Sequence, residues 1–501
     1  MTDYLLGLDI GTSGTKAALL RADGTDYRET KEYSYPLISR EPGWAQQSPR
    51  QWWEAACLCL KEAAGLVGAK HIAAIGVTGQ MHSIVLLDGA GSVLCDAILW
   101  CDQRSGKEAE KMARCAGTET VAAITGSLPN TGFSASKLLW MKEHNTELFK
   151  KTATVLMAKD YIRYCLTGRL GTEQTDATGT QLFDIVKNCW SEELCEQFGI
   201  GTNILPPVMD SVQFAGTVTG DAARKCGIPE GTPVVAGAGD TAAAAVGNGI
   251  VSRGKAYVSL GSSGVVLAFL DHPVSDEKCR IHTKCHAMAG AWEALGVTQG
   301  AALSMKWLTE TIFEDMSPKR FQTSSILARS VPALSEGLIF LPYLMGERSP
   351  HMDPYARGAF IGLSAKHTRA HMVRSVMEGV CYSLKECLDA VEELSGLTGE
   401  IRLSGGGARS ALWAQIAADV FGRELSVSHS GNASALGAAL LAGVGMGIYR
   451  DIPSTIGIMD ISFQKIKCNE SSVALYRKGY SIYRELYPAL KDKFYKLRDL
   501  Q

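Results

Sequence analysis

The sequence predicts an α/β protein built from two sheet-bearing halves that face each other across a ligand cleft. Two observations carry this. Strand-like apolar runs alternate with helix-like segments through both halves. One Gly/Ser/Thr turn also occurs twice, as Ile10-Gly11-Thr12-Ser13-Gly14 and as Leu260-Gly261-Ser262-Ser263-Gly264, about half the sequence apart. Each copy follows an apolar run (Tyr4 to Leu8, Ala256 to Val258) and precedes another (Ala17 to Leu20, Val265 to Leu270). Each therefore reads as a strand–turn–strand hairpin whose turn offers backbone N–H groups and hydroxyls to phosphate. Two such hairpins across a cleft suit a nucleotide triphosphate held from both sides. The residue before the turn is Asp9 in the first copy and Ser259 in the second, so a duplicated scaffold is expected to carry asymmetric chemistry.

The elements follow in order. Leu5 to Asp9 and Lys16 to Leu20 are the first hairpin. Ser48-Pro49-Arg50-Gln51 reads as a helix start, with Ser as cap, Pro at the first helical position and Gln three residues on; the helix runs to about Ala64. Ile72 to Val77 is a buried strand ending at Thr78-Gly79-Gln80-Met81-His82, and Ala97 to Leu99 is another, ending at Trp100-Cys101-Asp102. Val234 to Ala236 leads into Gly237-Ala238-Gly239-Asp240 and the helix-forming run Thr241 to Val246. In the second half, Ile401 to Leu403 ends at Gly405-Gly406-Gly407-Ala408. A helix from Ser410 to Phe421 is then stopped by Gly422. Leu425 to Ser428 is a strand, Ala433 to Ala442 a small-residue helix, and Ser471 to Lys493 a charged surface helix. With no low-complexity linker, the boundary falls after the Asp240 helix, dividing the sequence into 1–247 and 248–501.

Composition narrows the partners. At 501 residues the protein exceeds one core. A net charge of −2 without a basic stripe argues against nucleic acid. No apolar run approaches the ~18 residues of a membrane span, and the sequence enters a strand by Tyr4, leaving no room for a signal peptide. Fourteen cysteines without small-scaffold spacing read as reduced thiols of a cytoplasmic protein. The helical surfaces leave open whether the protein pairs as a homodimer or stands alone.

Asp9-Ile10-Gly11-Thr12-Ser13, the second hairpin and the Gly405 to Ala408 turn together resemble the ATPase superfamily of actin, hexokinase and the heat-shock chaperones. Two stretches narrow this to the FGGY carbohydrate kinases: Gly132-Phe133-Ser134-Ala135-Ser136-Lys137 on to His144, and Gly358-Ala359-Phe360-Ile361-Gly362-Leu363 on to Met377-Glu378. Within that family, Gly43-Trp44-Ala45-Gln46-Gln47, Gly79 to His82, Trp100 to Arg104, Pro342 to Arg348 and Gly405 to Ser410 resemble the xylulokinase branch. The resemblance implies two RNase H-like, actin-like ATPase domains closing over ATP, Mg²⁺ and a small sugar, most simply D-xylulose converted to its 5-phosphate. Three positions depart from the usual pattern: Thr241 where Asn follows the catalytic Asp, Ser83 where Gly follows Met-His, and Cys101 where Asn is common. All flank the expected sugar site, so they bear on which sugar is used. L-Xylulose, ribulose, erythritol or a non-catalytic sugar-binding regulator are the rivals.

The resemblance assigns roles, each set beside a plainer one. Asp240, at a helix start, is the catalytic base, or else an N-cap. Asp9 holds Mg²⁺ through water beside the γ-phosphate, with Asp240 nearby, or else starts a turn. Thr12, Ser13 and Lys16 face the β/γ-phosphates with Gly261 and Ser262 opposite, and Gly406, Gly407 and Ala408 take the adenosine. Gln80, Met81, His82, Trp100, Asp102 and Thr241 line the sugar, although a buried loop His satisfied by backbone and a core Trp are equally ordinary. Cys279, His282, Cys285 and His286 form a C-x2-H-x2-C-H run that has zinc-ligand residue types without zinc spacing, and core packing is the expectation.

Overall fold

A computed structural model describes residues 3–428, 431–458, 463–498 and 500. The first half forms an eight-stranded sheet from β1 (Tyr4–Ile10), β2 (Gly14–Arg21), β3 (Tyr27–Glu29), β4 (Tyr33–Ser34), β5 (Ile72–Gly79), β6 (Phe214–Thr217), β7 (Pro233–Val235) and β8 (Ala238–Gly239). The main order is β6-β7-β5-β1-β2-β3, with β8 pairing β5 and β4 pairing β2. The second sheet has seven strands: β9 (Ala256–Leu260), β10 (Gly264–Leu270), β11 (His282–Cys285), β12 (Trp292–Thr298), β13 (Ile401–Ser404), β14 (Leu425–Ser428) and β15 (Phe463–Ile466). Their order is β11-β12-β10-β9-β13-β14-β15.

The sequence duplication is structural. In each half the hairpin pairs antiparallel, β1 with β2 and β9 with β10, and its first strand lies parallel to a strand reached by crossover, β5 or β13. The buried parallel strands read as near-continuous apolar runs, as strands covered on both faces should. Helix α1 (Pro49–Val67) covers one face of the first sheet. Ser48 holds its cap position, but its hydroxyl makes no capping bond and the Gln51 amide oxygen is buried without a partner. Proline at the first helical position, with its φ already fixed near the helical value, starts the helix instead.

Two helices crossing between the halves hold the molecule together. Helix α2 (Asp240–Gly247) packs on α3 (Ala433–Gly445), which comes from the second half but lies on β1 and β5 of the first sheet. Glycine makes this approach possible. A Cβ on Gly7 would lie 1.7 Å from the Ala435 carbonyl oxygen, and one on Gly76 would lie 1.9 Å from that of Ala438. The first sheet's second cover is therefore supplied by a segment some 430 residues away in sequence. The C-terminal helix α4 (Glu470–Arg498) is charged outward as expected, but buries Val473, Tyr476, Tyr483, Tyr487 and Phe494 against the second core.

Candidate active site

Strands β1, β5 and β8 run parallel and end together. Asp9 stands in register with Thr78, and both Ile10 and Gly239 with Gly79. Asp9, the Gln80-Met81-His82 loop and Asp240 thus emerge at one edge, at the carboxyl ends of parallel strands, where open α/β sheets place ligands.

The turn before Asp240 is tightly determined. Gly237 has φ 80°, and a Cβ there would meet the Val77 carbonyl oxygen at 1.8 Å. The Gly239 N–H donates to Thr175 Oγ1 at 2.8 Å, and that hydroxyl donates to Glu173 Oε1 at 2.7 Å. Glu173 in turn faces Lys159 Nζ at 3.2 Å; the ammonium also reaches Asp160 at 2.7 Å and Asp176 at 3.1 Å, all four side chains being fully buried. Asp240 opens α2 half-buried, its Oδ1 accepting from the Thr241 hydroxyl at 3.2 Å. Burial first, and the negative charge of Asp9 second, push its pKa up to about 7, against the opposing Thr241 bonds and Lys284.

Burial raises Asp9 as well, opposed chiefly by a hydrogen bond from Asn432. The Asn432 amide donates to Asp9 Oδ2 at 2.7 Å and its Oδ1 caps α3 through the Ala435 N–H at 3.1 Å. Asp9 Oδ1 is buried without a hydrogen-bond partner. Two carboxylates close enough to repel, one with a spare buried oxygen, are a hard-oxygen donor set of the kind that takes Mg²⁺.

On the first phosphate hairpin, Gly11 N–H donates to the Gly14 carbonyl at 3.0 Å and Ser13 is exposed at the tip. Thr12 Oγ1 accepts the Trp100 indole N–H at 3.0 Å, which pins that ring to the hairpin turn. Lys16 is ion-paired with Glu32 at 2.9 Å. On the second hairpin, the Gly261 and Ser262 carbonyls accept from Ala302 and Ala301 at 2.8 and 3.0 Å. The Gly405 turn abuts it: a Cβ on Gly405 or Gly407 would lie 2.7 or 2.9 Å from Leu260, whereas one on Gly406 meets nothing within 4 Å. The turn thus packs on the second hairpin with Gly406 open and Gly407 and Ala408 buried behind it.

Three of the side chains expected at the sugar are engaged by the protein itself. Asp102 is fully buried. Its carboxylate accepts the Ala45 N–H at 2.6 Å, the Arg104 N–H at 2.9 Å and the Arg104 guanidinium at 2.7 to 3.0 Å. Its lone pairs are spent on holding Arg104, which lies 3.6 Å over the Trp44 ring, so none is left for a sugar hydroxyl. Gln80 donates to Gln47 Oε1 at 3.1 Å and accepts from Ser83 at 3.1 Å. His82, in the left-handed region at φ 65°, has Nδ1 3.0 Å from the Gly179 carbonyl and Nε2 3.4 Å from Lys284 Nζ. Met81 is buried against Gly239, as an apolar wall should be. Ser83 explains one departure from the family pattern: its hydroxyl donates to Gln80 and accepts the Trp100 N–H at 3.2 Å, which glycine does not do.

The Cys/His run does not converge. Among the described residues no three His, Cys, Asp or Glu side chains gather to hold a metal ion. His286 is held by the Ile250 carbonyl and the Met288 N–H, both at 3.0 Å, while His282 stacks edge-on to Phe133. Sequence reasoning also passed over Lys284, Glu293, Asn432 and Lys159. Glu293 had a visible signal, a charge inside the apolar run of β12; Lys284 and Asn432 meet partners hundreds of residues away, and the nearby carboxylates Asp160, Glu173 and Asp176 converge on Lys159 only in the fold.

Family models match nearly all of this architecture: the N-terminal domain of the FGGY family of carbohydrate kinases over residues 4–247 and its C-terminal domain over 256–446. The chain belongs to that family. The FGGY kinases are sugar phosphotransferases with a two-domain actin-like fold, and this protein is one of them. It is 35% identical over 491 residues to a xylulose kinase of Bacillus subtilis, covering 98% of this chain and 97% of that one. A solved structure of a "xyloylose kinase" from Brucella ovis aligns with TM-score 0.88 at 32% identity, covering 98% and 99%. A gluconate kinase structure from Lactobacillus acidophilus aligns with TM-score 0.91 at 26% identity, covering 99% of each. Among the described residues no helix is long and apolar enough to cross a membrane.

Proposed function

We propose that this FGGY kinase transfers the γ-phosphoryl group of ATP to the terminal hydroxyl of D-xylulose in its acyclic form, giving ADP and D-xylulose 5-phosphate. The observation that carries the chemistry is Asp240, a carboxylate at a helix start whose pKa burial and the nearby charge of Asp9 push up to about 7, at the same sheet edge as Asp9. Phosphoryl transfer needs positioning and charge stabilisation more than strong basicity. Asp240 orients the sugar hydroxyl and takes its proton as the bond to phosphorus forms. Thr12, Ser13 and Lys16 from one half, with Gly261 and Ser262 from the other, grip the phosphates, and Gly406 to Ala408 take the adenosine. Mg²⁺, when bound, would be held by Asp9 and Asp240 and would neutralise phosphate charge. The halves 1–247 and 248–501 close over both substrates and exclude water as a competing acceptor. Fourteen unpaired thiols support a reducing, cytoplasmic setting.

The choice of D-xylulose rests on the sequence likeness to a xylulose kinase; fold likeness does not select the sugar, because a gluconate kinase aligns equally well. A coupled ADP-release screen over pentuloses, hexuloses, tetritols and aldonates tests it. The highest kcat/KM is expected for D-xylulose, and a higher value for any other sugar reassigns the substrate.

A further inference from the structure

Lys284 comes from the second half, yet its strand is tied to the first. The Thr283 N–H donates to the Gly126 carbonyl at 2.9 Å, and the Gln174 amide to the His286 carbonyl at 2.6 Å. Lys284 is 1% exposed and its Nζ lies 4.5 Å from the Phe133 ring centroid. Among the described residues its one hydrogen-bonding neighbour is His82 Nε2, at 3.4 Å.

The tautomer of His82 follows from its partners. A carbonyl only accepts, so the Nδ1 facing Gly179 carries the proton, and Nε2 offers its lone pair to Lys284. Both ring nitrogens are spent, and the imidazole keeps nothing for a sugar oxygen. An ammonium has three donors. Two of those on Lys284 are left without a protein acceptor, because the oxygens of Glu293, its cross-strand neighbour, make no hydrogen bond. Buried donors without acceptors are costly, so this corner favours a ligand that supplies one. Arg348, half-buried and without a side-chain hydrogen bond or ion pair among the described residues, adds positive potential felt by Lys284, His82 and His282; burial and Arg348 pull the Lys284 pKa down to about 7, opposed by Glu293, Asp176 and Asp240. Lys284 and Asp240 also attract each other, so the ammonium lies within electrostatic reach of the reacting end.

We propose that Lys284, rather than His82, donates the hydrogen bond that reads the carbonyl oxygen of an acyclic ketose, and that it thereby sets a preference for ketoses over the matching alditols. This rests on the sugar-kinase reading above. A ketose carbonyl accepts hydrogen bonds and has none to give, which matches the two spare donors of Lys284. In the alditol the same oxygen can still accept from Lys284 through a lone pair, but its proton then needs an acceptor of its own, which Lys284, Arg348 and the protonated Nδ1 of His82 do not supply. His82 is then a positioning residue that orients the ammonium.

The test is steady-state ADP release by the full-length protein, and by its Lys284→Met and Lys284→Arg variants, with the preferred ketose and its alditols (D-xylulose against xylitol and D-arabinitol). Wild type is expected to favour the ketose at least ~10-fold in kcat/KM, since a site built around a hydrogen bond discriminates strongly. Lys284→Met should lower kcat/KM for the ketose ~100-fold, mainly through KM for the sugar. The ketose-to-alditol ratio should fall toward one, while KM for ATP moves far less. Lys284→Arg should restore part of the ratio. A Met variant that loses ketose and alditol activity in equal proportion, or that keeps wild-type sugar KM, overturns this assignment alone. Absence of ADP release with every ketose overturns the sugar-kinase reading and takes this one with it.

Discussion

Replacing Lys159 by methionine should uncouple the catalytic turn from the fold that supports it. The Lys159 ammonium is fully buried and lies 2.7, 3.2 and 3.1 Å from Asp160, Glu173 and Asp176. Methionine keeps the stem and removes the charge, leaving three buried carboxylates around an apolar tip. Breaking a buried ion pair from one side costs about 3–5 kcal/mol. For a half of roughly 250 residues, each kcal/mol moves Tm by about 2–4 °C, so a fall of about 10 °C is expected at pH 8. The pH dependence has a definite sign. Even with Lys159 present, burial holds the Asp176 carboxyl well above the ordinary carboxylate range. Without Lys159 the folded state binds more protons than the unfolded state above pH 4, so stability declines as pH rises. The Tm deficit of the variant should therefore be larger at pH 8 than at pH 5.5. Differential scanning fluorimetry of both proteins at the two pH values, at one scan rate, measures this. A Tm within about 2 °C of wild type at pH 8, on the same scale, or a larger deficit at pH 5.5, refutes the reasoning. Because Glu173 reaches Asp240 through Thr175 and the Gly239 N–H, the surviving folded fraction should also show a lowered kcat.

Asp240→Asn should lose ~10²–10⁴-fold in kcat while still binding nucleotide, the usual range for a general base, and near-normal turnover removes Asp240 from that role. In wild type, kcat/KM should fall as pH drops below about 7, because burial and the charge of Asp9 hold Asp240 protonated there; a flat profile from pH 8 to 5.5 contradicts it. Asp9→Asn should lower kcat and move the Mg²⁺ titration to higher concentration, since the amide keeps the shape and removes the charge; an unchanged titration places Asp9 outside the metal's reach. Gly7→Ala puts a Cβ 1.7 Å from the Ala435 carbonyl oxygen and should lower Tm sharply or yield insoluble protein. Gly65→Ala, in α1 with nothing within 4 Å, should be neutral or stabilise by up to ~1 kcal/mol.

Local and periodic features were legible in the sequence. The duplicated hairpin, the apolar parallel strands, the helix punctuated by Gly422 and the carboxylate present in only one half all depend on residues within one turn or one strand of each other. Strand ends fell within a few residues of their observed positions because Gly and polar residues mark them. The placement of Asp9 and Asp240 at strand ends was legible for the same reason, each standing at the end of an apolar run.

Only the tertiary structure decided which polar groups remain available. The family resemblance set Gln80, His82 and Asp102 at the sugar, but a side chain's hydrogen bonds are allotted by whatever packs beside it. Here Gln47, Gly179, Lys284 and Arg104 claim them. The cover that Ala433–Gly445 lays over Gly7 and Gly76, the cap through which Asn432 holds Asp9, and Lys284 reaching His82 all join residues about 200 to 430 positions apart. No periodicity records such contacts, because they arise when two duplicated sheets, each short of a covering layer, bury their remaining apolar faces against each other's helices.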